Sequence, residues 1–237
     1  MTIYNLIPAK TESSRLPGKN TFRFMFGNKP LIAHTIHAVE KASIQPIVFT
    51  NEPGLSNSYG ENLGNNYGAK IIKRSNRLST LKTTMKETVS AFIKIMNLND
   101  SDIILLTYLT CPFRTSRHIN EAIGLFYKTT ANSLQSISPV NYRPYGLMRK
   151  EGYKLICLQD QKDYYQKQNT PTLYKANGAI YIFRISELNK LNNQMFNKDT
   201  IGYELDEVEG LDIDTETDLM LAEKILEKRN GNELKAV

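Results

Sequence analysis

Short apolar runs alternate with segments of helical periodicity from residue 2 to residue 139. Continuous apolar or β-branched runs between polar loops predict buried strands, whereas apolar residues at every third or fourth position predict amphipathic helices. Strands are predicted at residues 2–8, 46–50, 68–73, 102–107 and 134–139. Helices are predicted at residues 29–42, 83–96 and 116–127, the last with Ser116 as its N-cap. This alternation predicts an α/β fold with a mainly parallel sheet, helices on both faces and a ligand crevice at the carboxyl ends of the strands.

The rhythm breaks at residues 141–176, which are rich in Tyr, Gln, Lys and Pro and weak in apolar periodicity. Such a segment is typical of a surface excursion, a lid or an arm that packs on a second subunit. The pattern resumes with a strand at residues 179–184 and a closing helix at residues 218–228, which places Leu219, Ala222, Ile225 and Leu226 on one face. No repeat or low-complexity segment interrupts the chain, so we expect one domain over residues 1–237.

The composition is that of a folded globular protein, since 41% of the residues are hydrophobic and 23% are charged. A formal net charge of +6 suits an anionic ligand. The basic residues are scattered rather than gathered into one stripe, which argues against nucleic acid. Neither a signal peptide nor an apolar run of membrane-spanning length is visible, so we expect a cytoplasmic protein without a membrane partner. The two cysteines and three histidines lack the spacing of a disulfide framework or a His/Cys metal centre.

The loop that follows the first predicted strand carries three cations, Lys10, Arg15 and Lys19. Exposed backbone N–H groups and positive side chains at a strand end suit a triphosphate, because each cation offsets one phosphate charge. The alternative is a basic surface turn, and the loop alone does not decide between the two. It is not a P-loop, since the glycines of that motif are missing.

Two aspartates, Asp212 and Asp214, stand one residue apart before the last predicted helix. In an extended segment they project to the same side, and two carboxylates that close favour a hard cation such as Mg²⁺. The alternative is an N-cap, with Asp214 or Thr215 starting the helix.

An Asn-Gly pair, Asn177 and Gly178, stands at the entrance to the strand predicted at residues 179–184, with Gln168 upstream. Amide side chains supply both donors and acceptors and can read sugar hydroxyls. The alternative is an ordinary turn, because Asn-Gly is a common turn dipeptide.

Four motifs together resemble the acylneuraminate cytidylyltransferase family, the synthetases of CMP-sialic acid and related CMP-nonulosonic acids. They are IPAK-x₂-S-x₃-PGKN from Ile7, GNKPLIAHTI from Gly27, NGAIYI from Asn177 and DIDTETDL from Asp212. The resemblance covers nearly the whole chain. It implies a nucleotide-diphospho-sugar transferase fold of Rossmann-like type and a homodimer in which an arm, here residues 141–176, reaches the partner's site. The implied reaction joins CMP from CTP to an acidic nine-carbon sugar with the help of Mg²⁺.

The resemblance also implies roles for individual residues. The residues expected at the nucleotide are Ala9, Lys10, Ser13, Arg15, Lys19, Asn20 and Arg74, with Arg74 facing the base. The residues expected at the sugar are Tyr108, Lys167, Gln168 and Asn177. Asp212 and Asp214 are the expected Mg²⁺ ligands, and the expected catalytic residues are Lys10, Lys19, Asp212 and Asp214. We expect Lys19 to be exposed in its loop, so that its loss affects catalysis far more than folding.

Five positions depart from the family pattern. Lys10 stands for an arginine, Thr11-Glu12 for Gly-Gly, Leu81 for an aspartate and Tyr108 for a glutamine that meets the sugar. An aromatic ring in place of an amide favours a less hydroxylated sugar, so we expect legionaminic or pseudaminic acid to be preferred over N-acetylneuraminic acid. The alternatives are a CMP-KDO synthetase, whose opening motif is similar, and a non-catalytic nucleotide- or sugar-binding relative.

Overall fold

A computed structural model describes residues 1–10, 13–21, 24–52, 67–80, 82–140, 147–158 and 172–233, with side chains to residue 229. The strands are β1 (Ile3–Ala9), β2 (Met25–Phe26), β3 (Lys29–Pro30), β4 (Ile47–Thr50), β5 (Lys70–Lys73), β6 (Ile103–Leu106), β7 (Ser133–Pro139), β8 (Met148–Glu151), β9 (Lys154–Cys157), β10 (Tyr174–Arg184) and β11 (Ile201–Glu204). The α-helices are α1 (Leu31–Lys41), α2 (Met85–Met96), α3 (Ser116–Lys128) and α4 (Glu216–Glu233). Two 3₁₀ helices span Asn76–Ser79 and Ile185–Lys190.

Seven strands form the central sheet in the order β11-β7-β10-β6-β1-β4-β5. Every neighbouring pair is parallel except those of β10, which runs antiparallel to both β6 and β7. The prediction of a mainly parallel sheet is confirmed. The single reversed strand has one consequence for the site: β10 starts at the edge where the parallel strands end.

The strands bury both faces, which is why their sequences are continuously apolar rather than alternating. In β1, Leu6 points to the face covered by α2, and Ile7 points to the face covered by α1 and α4. Farther along the second face, α3 packs on β6 and β7 through Ile119 and Phe126. Helices therefore cover both faces, as the periodicity predicted. The predicted apolar face of α4 packs on the same core as Ile7.

The helix starts follow capping chemistry, with one correction to the sequence prediction. Thr84 and Glu87 form a capping box at α2. At α3 the N-cap is Thr115 and not Ser116, because the Thr115 hydroxyl accepts the His118 N–H while the His118 ring accepts the Thr115 N–H at 3.2 Å. The predicted cap was wrong by one residue because two hydroxyl residues stand side by side.

The sequence analysis did not predict the strand β11 or the β8–β9 hairpin. The edge strand β11 pairs in parallel with β7, although its sequence IGYE contains a glycine and no apolar run. The strands β8 and β9 form an isolated antiparallel hairpin within the predicted arm. Only residues 147–158 and 172–176 of that arm are described, so its proposed role as a whole stays a prediction. In the part of the chain that the structure covers, none of the helices has the length and apolarity needed to cross a bilayer.

Candidate active site

The carboxyl ends of β1, β5 and β6 surround a cavity of about 180 Å³. It is lined by Pro8, Lys10, Asn20, Arg74, Thr83, Met85, Thr88, Tyr108, Leu109 and Thr110. Four of these residues were predicted site residues, and they come from three separate stretches of sequence. The sheet topology brings them together at the edge where the crevice was predicted, and the binding of a ligand there stays a prediction.

Lys19 joins the first loop to the segment that carries Asp212 and Asp214, here called the aspartate segment. Its ammonium group donates to the Ile213 carbonyl at 2.9 Å and forms an ion pair with the Asp214 carboxylate. Arg15 binds the other oxygen of Asp214 at 2.7 Å. Lys19 is only 6% exposed, so the expectation of an exposed loop lysine was wrong: the chain after Gly18 turns inward. Gly18 has φ +76°, a left-handed conformation that glycine adopts without the steric cost of a side chain.

A side-chain hydrogen bond holds together the two described ends of the first loop. Asn20 is buried, and its side-chain amide donates to the Lys10 carbonyl at 2.8 Å, which ties the two ends of the loop together. Ala9 ends β1 and is fully buried, whereas Lys10 and Ser13 are half-buried at the loop surface. Lys10 is thus free to present its charge to the cavity that it lines.

Asp212 contrasts with Asp214. One of its carboxylate oxygens, Oδ1, is buried and has no hydrogen-bond partner among the described residues. Burial raises the pKa of Asp212, and the charge of Asp214 adds to this, while the Thr110 hydroxyl and Lys19 oppose it. Between the two aspartates, Ile213 is buried in the core and its N–H donates to the Thr110 carbonyl at 2.8 Å.

The start of α4 decides between the two readings of Asp214. The Thr215 hydroxyl accepts the Asp218 N–H, and the Asp218 carboxylate accepts the N–H groups of Asp214 and Thr215. This reciprocal pattern caps the helix without the Asp214 side chain. The Asp214 carboxylate is therefore left to bind cations.

These two aspartates fit a magnesium site. Asp212 offers a buried carboxylate oxygen without a partner, which is costly unless a cation meets it. Across the described ranges no cluster of three or more His, Cys, Asp or Glu side chains is present. A two-carboxylate site suits Mg²⁺, which usually keeps several waters and binds substrate phosphates as well.

Arg74 is buried beside the cavity, where its guanidinium donates to the Leu78 carbonyl and to the Thr88 hydroxyl. Its Nε is buried without a partner in the described structure, and burial lowers the pKa of Arg74 to about 10. Thr88 lies on α2 and was not predicted. The expectation that Arg74 faces a base stays a prediction.

Tyr108 follows β6 and packs on Tyr181 of β10, with ring centroids 5.3 Å apart. Burial raises the pKa of Tyr108 well above its usual value, so its hydroxyl stays protonated at neutral pH. Gly178, with φ +80°, lies against the ring: a Cβ there would be 3.0 Å from Tyr108 Cδ2. Sequence analysis missed Tyr181, although it belongs to the NGAIYI motif. The signal that could have found it was its place in that motif.

The side chain of Asn177 is held within the protein. Its amide contacts Ser136 and Ser138 of β7 and the N–H of Ala179. The expectation that it contacts a sugar stays a prediction. The two other predicted sugar residues, Lys167 and Gln168, lie outside the described residues, as do Thr11, Glu12 and Leu81.

Comparison with known proteins now decides the family. The cytidylyltransferase family profile matches residues 4–236. The chain belongs to the cytidylyltransferase family. It is 33% identical to the CMP-N,N'-diacetyllegionaminic acid synthase of Legionella pneumophila, over 96% of this chain and 97% of that protein. It is 29% identical to the N-acylneuraminate cytidylyltransferase of Escherichia coli, over 98% of this chain but 54% of that protein, so it spans about half the length of that relative.

The chain also has the fold expected of a cytidylyltransferase. A CMP:2-keto-3-deoxy-manno-octonic acid synthetase solved in complex with CTP superposes with a TM-score of 0.66, covering 97% of this chain and all of that one. The two sequences are 16% identical, so this likeness concerns the fold alone. The predicted nucleotide-diphospho-sugar transferase fold is confirmed.

Proposed function

We propose that this cytidylyltransferase transfers CMP from CTP to the anomeric hydroxyl of an acidic nine-carbon sugar and releases pyrophosphate. One observation carries the proposal. The unpartnered Asp212 oxygen and the ion-paired Asp214 lie beside a cation-bearing loop, in a chain aligned end to end with a CMP-nonulosonic acid synthase. The anomeric oxygen attacks the α-phosphorus of CTP, and the bond to the β-phosphate oxygen breaks in line with it.

The first loop is suited to the triphosphate. Lys10 lines the cavity, and Lys19 and Arg15 both contact Asp214, so a bound triphosphate competes with that carboxylate for the two cations. Lys10 and Lys19 offset the charge that develops on the departing pyrophosphate. A well-placed donor of this kind contributes about 2.7–4 kcal/mol in other enzymes. Ser13 and Asn20 support the loop, and Arg74 holds the base in the cavity.

Asp212 and Asp214 would hold Mg²⁺. When bound, the ion would offset negative charge on the triphosphate. Contact of Lys19 and Arg15 with the triphosphate would free the Asp214 oxygens to bind a cation. Nucleotide and metal binding are therefore expected to be coupled.

The sugar is expected on the other side of the cavity, against Tyr108. This ring packs on the ring of Tyr181. Burial raises the pKa of both phenols, so both hydroxyls are neutral. A neutral aromatic wall of this kind favours a sugar with fewer hydroxyls and more acyl groups, since fewer polar groups are then left unpaired. We expect a legionaminic- or pseudaminic-type acid, with Lys167 and Gln168 at its polar groups.

A panel of acidic sugars tests the proposal. Pyrophosphate release from CTP is measured with N,N'-diacetyllegionaminic, pseudaminic, N-acetylneuraminic and 2-keto-3-deoxy-manno-octonic acids, with and without EDTA. We expect turnover with a nine-carbon acid and its loss in EDTA. Turnover with the eight-carbon acid alone would assign the alternative synthetase activity. Nucleotide binding without any turnover would leave a binding protein.

The β8–β9 hairpin is the expected contact to a second subunit. It exposes Leu147, Met148, Tyr153, Leu155 and Leu158, and Tyr153 and Leu155 are 102% and 66% exposed. An isolated two-stranded hairpin is at best marginally stable in water, so apolar cover from a partner is expected. Leu155→Asp should shift sedimentation from dimer to monomer, whereas the equally exposed Met220→Asp on α4 should not. A wild-type monomer at micromolar concentration with full activity would contradict the dimer.

A further inference from the structure

Strand β10 begins with an irregularity next to the aspartate segment. Its register with β7 shifts between Ala176 and Tyr181, so residues 177–180 lie opposite Ser136 alone. Side chains replace the missing ladder bonds. The Ser136 hydroxyl accepts the Ile180 N–H at 2.8 Å, and the Asn177 Oδ1 accepts the Ala179 N–H at 3.1 Å. Bulges of this kind occur frequently beside active sites, where they redirect the chain.

Asn177 is the centre of this arrangement. The Ser136 hydroxyl donates to Asn177 Oδ1 at 2.5 Å, and Asn177 Nδ2 donates to the Ser138 hydroxyl at 2.9 Å. Asn177 is 4% exposed, and both serines are buried. Both polar atoms of the amide are thus used inside the protein. A buried, fully partnered network of this kind is rigid.

The aspartate segment rests on this network through Gly210. A Cβ at Gly210 would lie 2.6 Å from Asn177 Nδ2 and nearer still to the Ser138 hydroxyl, so the backbone there sits directly on the two side chains. The Ser138 hydroxyl also donates to the Asp206 carbonyl at 3.2 Å. Gly210 precedes Asp212 by two residues, so this contact with Asn177 lies close to Asp212 along the chain.

The other side of the segment is held by different groups. Ile213 donates to the Thr110 carbonyl at 2.8 Å and accepts from Lys19 at 2.9 Å. The Thr110 hydroxyl contacts the Asp212 carboxylate, but Oδ1 of that carboxylate has no partner in the described structure. The position of Oδ1 therefore also depends on the backbone on both sides of Asp212.

We infer that Asn177 is a positioning residue: it sets the place of the Asp212 carboxylate through Gly210, and it does not read the sugar. The inference rests on the proposed metal role of Asp212. Groups that orient metal ligands from behind typically change metal affinity by about 10- to 100-fold when they are removed.

The test measures Mn²⁺ binding with CTP present and no sugar, so that no turnover occurs. Free Mn²⁺ is followed by its electron paramagnetic resonance signal. Asn177→Ala should weaken Mn²⁺ binding by about 10- to 100-fold. In turnover assays with saturating CTP and metal, its KM for the sugar should stay unchanged. The control is Ser133→Ala, which removes a buried hydroxyl of β7 that contacts Thr200 at 2.8 Å, away from Asn177; it should leave Mn²⁺ binding unchanged.

Two more variants keep the test decisive if Asn177→Ala folds poorly. Gly210→Ala retains Asn177 but presses against it, and Ser138→Ala removes one of its partners. Each should weaken Mn²⁺ binding. The double variant Ser138→Ala/Asn177→Ala should bind Mn²⁺ no less tightly than Asn177→Ala alone, because both substitutions act through one network. Unchanged Mn²⁺ binding with a raised KM for the sugar would overturn the inference in favour of direct sugar contact. If Asp212→Asn also left Mn²⁺ binding unchanged, the metal site itself would be wrong, which is a separate outcome.

Discussion

Two groups of residues next to the cavity, here called the aspartate side and the tyrosine side, hold their polar groups in opposite ways. The aspartate side (Arg15, Lys19, Asp212 and Asp214) is charged, and its ion pairs link the first loop to the segment before α4. The tyrosine side (Tyr108, Tyr181 and Gly178) is neutral, because burial raises the pKa of both phenols. Charge suits the triphosphate and the divalent cation that we propose for this side. A neutral aromatic wall suits the partner that differs from one synthetase to another, since it selects by shape and by the number of groups left unpaired.

The largest effect is expected from Asp212→Asn. Turnover should fall by about 10²- to 10³-fold, the range seen when one preorganised electrostatic group is lost. The midpoint of thermal unfolding should stay or rise, because the substitution removes a buried charge that has one carboxylate oxygen without a hydrogen-bond partner. Pyrophosphate release and thermal unfolding measure the two. The control is Asp199→Asn, an exposed carboxylate 3.9 Å from Lys198, which should change neither. A parallel loss of stability and activity would mean that Asp212 is structural.

Lys19 and Arg15 share one partner but differ in burial, which separates folding from catalysis on the aspartate side. Lys19→Ala should lower the free energy of unfolding by about 1–3 kcal/mol, because it leaves buried acceptors unpaired. Arg15→Ala should cost about 0–1 kcal/mol, as for other exposed ion pairs. Both should raise the KM for CTP. Chemical denaturation measures the free energy of unfolding of both variants, and steady-state kinetics measures their KM for CTP. Equal losses of stability would show that the burial of Lys19 does not contribute to folding.

On the tyrosine side, Tyr108→Gln should change which sugar is preferred while leaving CTP unaffected. We expect kcat/KM for N-acetylneuraminic acid to rise relative to the legionaminic and pseudaminic acids by about tenfold, a usual value for one altered pocket group. The KM for CTP should not move. Tyr127→Gln, a half-exposed tyrosine of α3, is the matched control. An unchanged ranking, or a wild type that already prefers N-acetylneuraminic acid, would contradict the assignment of this side to the sugar.

The smallest effect is expected from Gly178→Ala. A left-handed φ of +80° costs an alanine about 1–2 kcal/mol, and the new Cβ would also press on Tyr108. Gly152→Ala has a similar φ of +60° but no neighbour within 4 Å, so it isolates the backbone strain. Gly178→Ala should lose more stability by denaturation than Gly152→Ala, and only Gly178→Ala should raise the KM for the sugar. Identical kinetics for the two would separate Gly178 from the tyrosine side.

The sequence predicted those parts of the molecule whose signal is local. The strands β1 and β6 and the apolar face of α4 follow from runs and periodicity, and the cations of the first loop follow from their spacing. The pairing of Lys19 with Asp214 could not be predicted from the sequence, because the two residues are far apart along the chain. Nothing in the local sequence distinguishes Lys19 from an exposed loop lysine. Asn177 shows the same limit. Its partners Ser136 and Ser138 lie about 40 residues away, and a serine pattern carries no signal of what it supports.

The reversed strand β10 gives the fold a form of modularity. In the sheet, Tyr174 stands opposite Pro139, and the Val140 N–H donates to the Leu173 carbonyl at 2.9 Å. The chain therefore leaves the sheet at the end of β7 and returns to it at the start of β10 at the same position. That position lies at the edge of the sheet where the parallel strands end. The entropy of closing such a loop grows only with the logarithm of its length. Evolution can therefore lengthen, shorten or change residues 141–172 at little cost to the sheet, while the strands that surround the cavity stay the same.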